Sequence, residues 1–243
     1  GTLLFDDFND GDYNGWTPIG STWTAVNGYL ENTESSGGGH YIKKDNFQIS
    51  DSVKITYKGY VANGAGNHIY LAVPGSVTGS QSGSGYILGF NTGSDVVEIY
   101  RVDDGTTTQL KTASIVLNDN TWYDVEIIFR EDGDMEVTIY NGTTYANARV
   151  VDTTYSPPFE LGTWCQYQAR YDDLKVEEFS SLSEVFSYST LKSIFYPVAP
   201  NNADNADVIS FEGNNQISAG GYSANLDERE LTTIPDANLD QDT

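Results

Sequence analysis

The residues best suited to chemistry in this sequence are six aspartates held in two short stretches. "LFDDFNDGDYNGW" crowds Asp6, Asp7, Asp10 and Asp12 together, and far downstream "ARYDDLKVEEF" adds Asp172 and Asp173. Carboxylates this close repel one another unless solvent screens them or a cation sits among them. If the strand ending at Asp7 pairs antiparallel with the strand beginning at Asp172, all six converge. Calcium takes six to eight oxygen ligands at about 2.3–2.6 Å in a forgiving geometry, which clustered aspartates and turn carbonyls supply. Zinc is disfavoured, because His40 and His68 are the only histidines and Cys165 is the only thiol. The alternative to a calcium site is a solvated acidic rim.

Other chemistries find less support. A glycosidase needs two carboxylates at a set separation, about 5–5.5 Å or 6.5–9.5 Å according to stereochemistry. The nearest approach is Asp124 and Glu126, which share one side of a strand and read as its solvated face, so no catalytic residue is assigned. His40 follows the loop "SSGGG" and His68 follows "NGAGN"; both read as surface histidines, and no Ser-His-Asp arrangement is visible. "GAGN" and "PGSVTGSQSGSG" lack the lysine and the strand-to-helix setting of a phosphate loop. Sugar binding asks only for an exposed aromatic ring and a few planar polar groups. Tyr70, Tyr100, Arg101, Trp164, Tyr167, Gln168 and Arg170 are candidates by type and position, although seventeen tyrosines in a β-protein mostly reflect strand packing.

The elements that must position these groups are strands. From Leu3 to Phe179 the apolar residues alternate, as in "WYDVEIIF", where Tyr123, Val125, Ile127 and Phe129 face one way and Asp124 and Glu126 the other. Asn27-Gly28, Asp104-Gly105, Asp132-Gly133 and Asn141-Gly142 separate such runs and suit two-residue hairpin turns. No convincing amphipathic helix interrupts them. The fold class is therefore all-β, an antiparallel two-sheet β-sandwich, the architecture that buries many one-faced strands. Cys165, between Trp164 and Tyr167, reads as a small buried hydrophobe.

With 35 acidic against 12 basic residues, the 243-residue chain carries a formal charge of -23. That field disfavours nucleic acid and anionic membrane surfaces as partners. No apolar run approaches the roughly 20 residues of a membrane span. A chain opening on Gly1, rich in Gly, Ser, Thr, Asn and Tyr, is expected to be processed, exported and extracellular or cell-surface; Asn141 in Asn141-Gly142-Thr143 is its one glycosylation sequon. Two parts are expected, a sandwich over 1–180 and an acidic extended C-terminal arm over 181–243 that docks rather than folds independently. The arm's apolar side chains Phe186, Tyr188, Leu191, Ile194 and Phe195 precede Pro197 and suit strand addition to a sheet edge, in cis or on another copy or surface protein.

"DDFNDGDYNGW", "TWTAVNGYLE", "NTWYDVEIIF", "MEVTIYNG" and "RYDDLKV" together resemble the concanavalin A-like, or laminin-G-like, jelly-roll modules, over about residues 3–179. Such modules include carbohydrate-binding, adhesion and 3-keto-disaccharide hydrolase-like domains. The resemblance implies a calcium ion bridging the first and last strands at Asp7, Asp10 and Asp172, with Asp6, Asp12 and Asp173 as further candidates. It also implies core positions for Trp16, Trp23 and Trp122. The expected function is a non-catalytic, calcium-stabilised, lectin-like subunit of a surface assembly or filament. The alternatives are a carbohydrate-binding module of a polysaccharide-degrading enzyme, with a polysaccharide as partner, and a saccharide hydrolase.

Overall fold

Strands form where the sequence alternates. The structure is a computed structural model that describes residues 1–35, 38–79 and 82–179, and the backbone of three short strands between 209 and 225. The chain divides into two compact units, Gly1–Ser180 and Ser181–Thr243. In the second, the described backbone is an antiparallel meander of Ile209–Glu212, Gln216–Ala219 and Tyr222–Asn225. Phe186, Tyr188, Leu191, Ile194 and Phe195 lie outside the described residues.

The first unit is a sandwich of two antiparallel sheets, as the alternation predicts, and the jelly roll that the family resemblance implies. One sheet runs β13 (Tyr145–Val151), β12 (Asp134–Tyr140), β11 (Trp122–Phe129), β6 (Val53–Val61), β15 (Ala169–Glu178), β4 (Leu30–Asn32), β3 (Trp23–Thr24), with β1 (Thr2–Asp6) also paired to β15. The other runs β10 (Thr106–Ser114), β9 (Val96–Asp103), β8 (Gly85–Asn91), β7 (Gly66–Ala72), β14 (Phe159–Cys165), β5 (His40–Ile49), β2 (Trp16–Ile19). Among the described residues no helix is long and apolar enough to cross a membrane.

The core lies between the sheets. Tyr123, Val125, Ile127 and Phe129 are buried in it while Asp124 faces out, and Phe129 meets Phe159 edge-on at 5.3 Å between ring centroids. Cys165 is buried and free, and burial pushes its thiol well up. Trp16 and Trp23 are core residues, but Trp122 is 38% exposed. The reason is strand parity: Trp122 shares the outward side of β11 with Asp124 and Glu126.

Of the four Asn/Asp-Gly pairs, Asp104-Gly105 makes a two-residue hairpin, closing Asp103 opposite Thr106 with positive φ at both turn residues. The other Asn/Asp-Gly pairs sit in longer loops. Asn141-Gly142 lies in a four-residue loop between the Tyr140 and Tyr145 partners, where the Asn141 side chain caps the backbone of Thr143 and Thr144. That carboxamide satisfies donors which a tighter turn would pair through the backbone.

Candidate functional site

β1 and β15 do pair antiparallel, with Asp6 opposite Leu174, so the two acidic stretches are brought to the same region. Their carboxylates do not converge: among the described residues no three metal-ligating side chains gather at one point. Local geometry explains this. Asp6, Asp7, Asp10 and Asp12 each accept a backbone N–H two residues on, from Phe8, Asn9, Asp12 and Asn14. Each carboxylate thus turns onto its own loop. Asp6 also takes the Trp16 indole N–H at 2.8 Å and lies 3.5 Å from the Lys44 ammonium. Asp173, at a bulge in β15 with φ 48°, pairs with Lys58 at 2.8 Å.

Asp172 feels its acidic neighbours. Burial pushes the Asp172 carboxyl up, and the charges of Asp173 and Asp7 add to that. Hydrogen bonds from Asn9 hold Asp7 below the usual range. The crowding that opened the sequence is therefore relieved mainly by backbone amides, one indole and two lysines.

The more distinctive geometry lies on the face of the seven-stranded sheet that points away from the core. Alternation predicts a polar face there, yet all seven residues of β7 are buried, on both sides of the strand. Tyr41, Tyr70, Ala72, Val77, Ile87 and Val102 form a second apolar cluster, against which Tyr100 and Trp164 pack half-exposed. Val77 belongs to the loop between β7 and β8, so this glycine- and serine-rich loop folds back over the sheet. It and the "SSGGG" loop, through Gly38 and Gly39, rim a cleft of about 400 Å³.

Trp164, Tyr100 and Tyr167 wall this cleft with half-exposed rings, while Tyr70, His68 and Glu98 lie deeper. His68 and Glu98 are only 1% and 3% exposed, so His68 is not the surface histidine expected; His40 is buried too, at 7%. The reason is again parity: His68 and Tyr70 share the outer side of β7, under the apolar cluster. His68 Nε2 donates to Glu98 Oε1 at 2.8 Å, and the Tyr100 hydroxyl donates to Glu98 Oε2 at 3.1 Å. An ionised carboxylate can only accept, so Nε2 carries the proton. Burial pushes the Glu98 carboxyl up, but hydrogen bonds from His68, Tyr100 and Asn91 outweigh it and hold the group below its ordinary value. Burial and the Glu98 charge push the Tyr100 phenol up to about 12.

Two glycines make the arrangement possible. A Cβ on Gly66 would collide with the His68 ring, and one on Gly162 with the Tyr41 ring. Rings can thus lie flat on bare backbone, which is a common reason for glycine inside a strand. Among the described residues the hydroxyls of Tyr41 and Tyr70 and Nδ1 of His68 have no hydrogen-bond partner, leaving buried polar atoms at and beneath the cleft.

Of the sugar-binding candidates from the sequence, Tyr70, Tyr100, Trp164 and Tyr167 meet at this cleft. Arg101 does not: it stands on the other side of β9 from Tyr100 and pairs with Asp103 at 2.9 Å and Asp152 at 3.0 Å. Arg170 belongs to the other sheet and Gln168 just precedes its strand; there both donate to Glu31, at 2.8 and 3.0 Å. There the Arg170 guanidinium lies 4.7 and 4.5 Å from the ring centres of Tyr29 and Tyr60. Asn141 donates its own Nδ2 to the Val116 carbonyl at 2.9 Å. The sequence reading missed Glu98 and His68. Their signal was there in "HIYLAV" and "DVVEIYRV", where a charged or titratable residue alternates with tyrosine on one strand face.

No protein-family model matches the chain, and no curated protein sequence matches it. Solved structures do. The carbohydrate-binding module CBM66 from Bacillus subtilis aligns over 68% of this chain and 96% of its own, with 17% identity and a TM-score of 0.54. A galectin-like protein of unknown function from Bacillus subtilis aligns over 73% of this chain and 96% of its own, at 11% identity and TM-score 0.55. The VIP36 exoplasmic/lumenal domain in its Ca2+/Man3GlcNAc-bound form covers 68% of this chain and 84% of its own, at 13% identity and TM-score 0.54. The chain has the concanavalin A-like jelly-roll fold. At these identities the likeness is one of fold. The matching structures also differ in metal, with VIP36 solved in calcium-bound and metal-free forms and the Emp46p carbohydrate recognition domain in a potassium-bound form.

Proposed function

We propose that this protein is a non-catalytic saccharide-binding sandwich whose ligand enters the cleft on the outer face of the seven-stranded sheet. The observation that carries this reading is the grouping of three half-exposed rings, Trp164, Tyr100 and Tyr167, around a buried polar floor of Glu98, His68 and Tyr70. Aromatic faces stack on the C–H faces of a sugar ring, while carboxylate and hydroxyl oxygens pair with its hydroxyls. A mostly apolar concavity with a few convergent polar groups is the common form of a small-ligand site. The fold neighbours include a carbohydrate-binding module and an exoplasmic/lumenal domain with Man3GlcNAc bound, which supports the same reading.

The test is a glycan and polysaccharide binding screen on the full chain, followed by titration of the best ligand against Trp164→Ala. Loss of the stacking ring should weaken binding at least tenfold, about 1.4 kcal/mol. A folded protein that binds no saccharide, or a Trp164→Ala variant that binds like the parent, refutes the proposal.

Calcium is the narrower part of this reading. It would be held by Asp7 and Asp172, whose mutual repulsion a divalent ion relieves, with backbone carbonyl oxygens completing its shell. The proposal extends to export to the cell exterior and a role as an adhesive subunit. Assembly through 181–243 would be seen as multimers that a chain truncated after residue 180 no longer forms.

A further inference from the structure

We propose that Glu98 makes the cleft selective for uncharged saccharides and excludes those carrying a carboxylate or sulfate where the ligand meets the floor. This rests on the saccharide-binding reading above and adds to it the class of sugar.

The argument is one of donors and acceptors in a dry place. Glu98 is 3% exposed, yet it lines the cleft. Oε1 accepts from His68 Nε2 and Oε2 from the Tyr100 hydroxyl, whose oxygen in turn accepts from Gln109 Nε2 at 3.2 Å. Each carboxylate oxygen accepts about two hydrogen bonds, so with His68, Tyr100 and the Asn91 side chain as donors one place remains for a further donor. Asn91, also on the cleft wall, spends its carbonyl oxygen on the N–H groups of Gly93 and Ser94 and its amide N–H on Glu98, so Glu98 remains the polar centre of the floor. The floor is therefore acceptor-rich. A sugar hydroxyl can donate to it, whereas a uronate or sulfate group only accepts.

Charge points the same way. Among the described residues no lysine or arginine lines the cleft. Two cations of the same sheet are committed elsewhere: Arg101 to Asp103 and Asp152 across β9, and Lys43 to Glu160 at 3.2 Å. An anionic ligand would bring a second negative charge beside a buried carboxylate, on a chain whose formal charge is -23. Like charges juxtaposed at a desolvated interface are strongly disfavoured and serve to reject wrong partners.

The experiment uses matched oligosaccharide pairs that differ only by oxidation of one hydroxymethyl to a carboxylate, glucosyl against glucuronosyl and galactosyl against galacturonosyl. Binding to the full chain is titrated at pH 8 and fixed ionic strength. The neutral member of a pair should bind at least tenfold more tightly than its acidic partner. In Glu98→Gln, which keeps the side-chain size and removes the charge, that ratio should fall toward one. Equal or tighter binding of the acidic member by the parent protein overturns the inference while leaving saccharide binding intact. Binding of neither member across the screen overturns the underlying reading instead. If Glu98→Gln does not fold, the ratio on the unmodified protein decides the question alone.

Discussion

Replacing Gly66 with alanine tests whether the His68–Glu98 pair rests on bare backbone. Gly66 and His68 lie two apart on the same face of β7, and an added Cβ would fall inside the imidazole ring's van der Waals envelope. The Gly66 backbone is outside the left-handed region, so alanine meets no conformational strain there other than the ring. Displacing His68 removes a hydrogen bond to a charged, buried carboxylate, a loss of about 1.5–3 kcal/mol. Against this, alanine reduces the freedom of the unfolded chain and returns about 0.4–1 kcal/mol. The net cost is about 0.5–2.6 kcal/mol, which for a protein of this size lowers Tm by roughly 1–10 °C. Thermal unfolding followed by circular dichroism reads this directly. Gly79→Ala is the control, because the added Cβ there meets only the Ser82 hydroxyl at 3.9 Å. The decisive arm is the double variant: in a His68→Ala background the cost of Gly66→Ala should vanish, since no ring remains to collide with. A Gly66→Ala protein as stable as its parent, or a cost that persists without His68, would show that the ring does not lie over Gly66.

Three further outcomes are expected. Phe129→Ala, at a fully buried site against Phe159, should cost about 3–5 kcal/mol in chemical denaturation, while Glu126→Ala on the opposite side of the same strand should stay within about 0.5 kcal/mol. Asp134 is raised by burial but lowered further by hydrogen bonds and charge from Arg149 and Arg130, a net fall below its ordinary 3.8. A carboxylate depressed by folding stabilises above its unfolded value and loses that contribution as pH falls through the folded one, so Tm should drop below about pH 4, and less steeply in Asp134→Asn. Asp172, raised on folding, carries the opposite sign. Calcium at a hundredfold excess over its dissociation constant should stabilise the sandwich by about 2.7 kcal/mol, an effect absent in Asp172→Asn; coincident melts with calcium and with chelator would remove the ion from this account.

The alternation in "WYDVEIIF" was sufficient to place Tyr123, Val125, Ile127 and Phe129 in a core, because side-chain period in a strand is set by local backbone geometry. The same parity rule, applied one residue earlier, places Trp122 outside, where the family resemblance alone would have buried it. The pairing of β1 with β15 was legible for a similar reason, as closing a sandwich leaves few partners for its first and last strands. What carboxylates do once brought near each other was not legible, since each could turn to its own backbone within two residues, a choice local hydrogen bonding makes and spacing does not reveal. The cleft is wholly a tertiary result. Its walls come from β7, β9 and β14 and the residues just after β14, strands far apart in the chain that become neighbours or near neighbours only through sheet order. The loop that carries Val77 covers the outer side of β7, and that burial makes His68 and Glu98 a hydrogen-bonded pair instead of two solvated side chains.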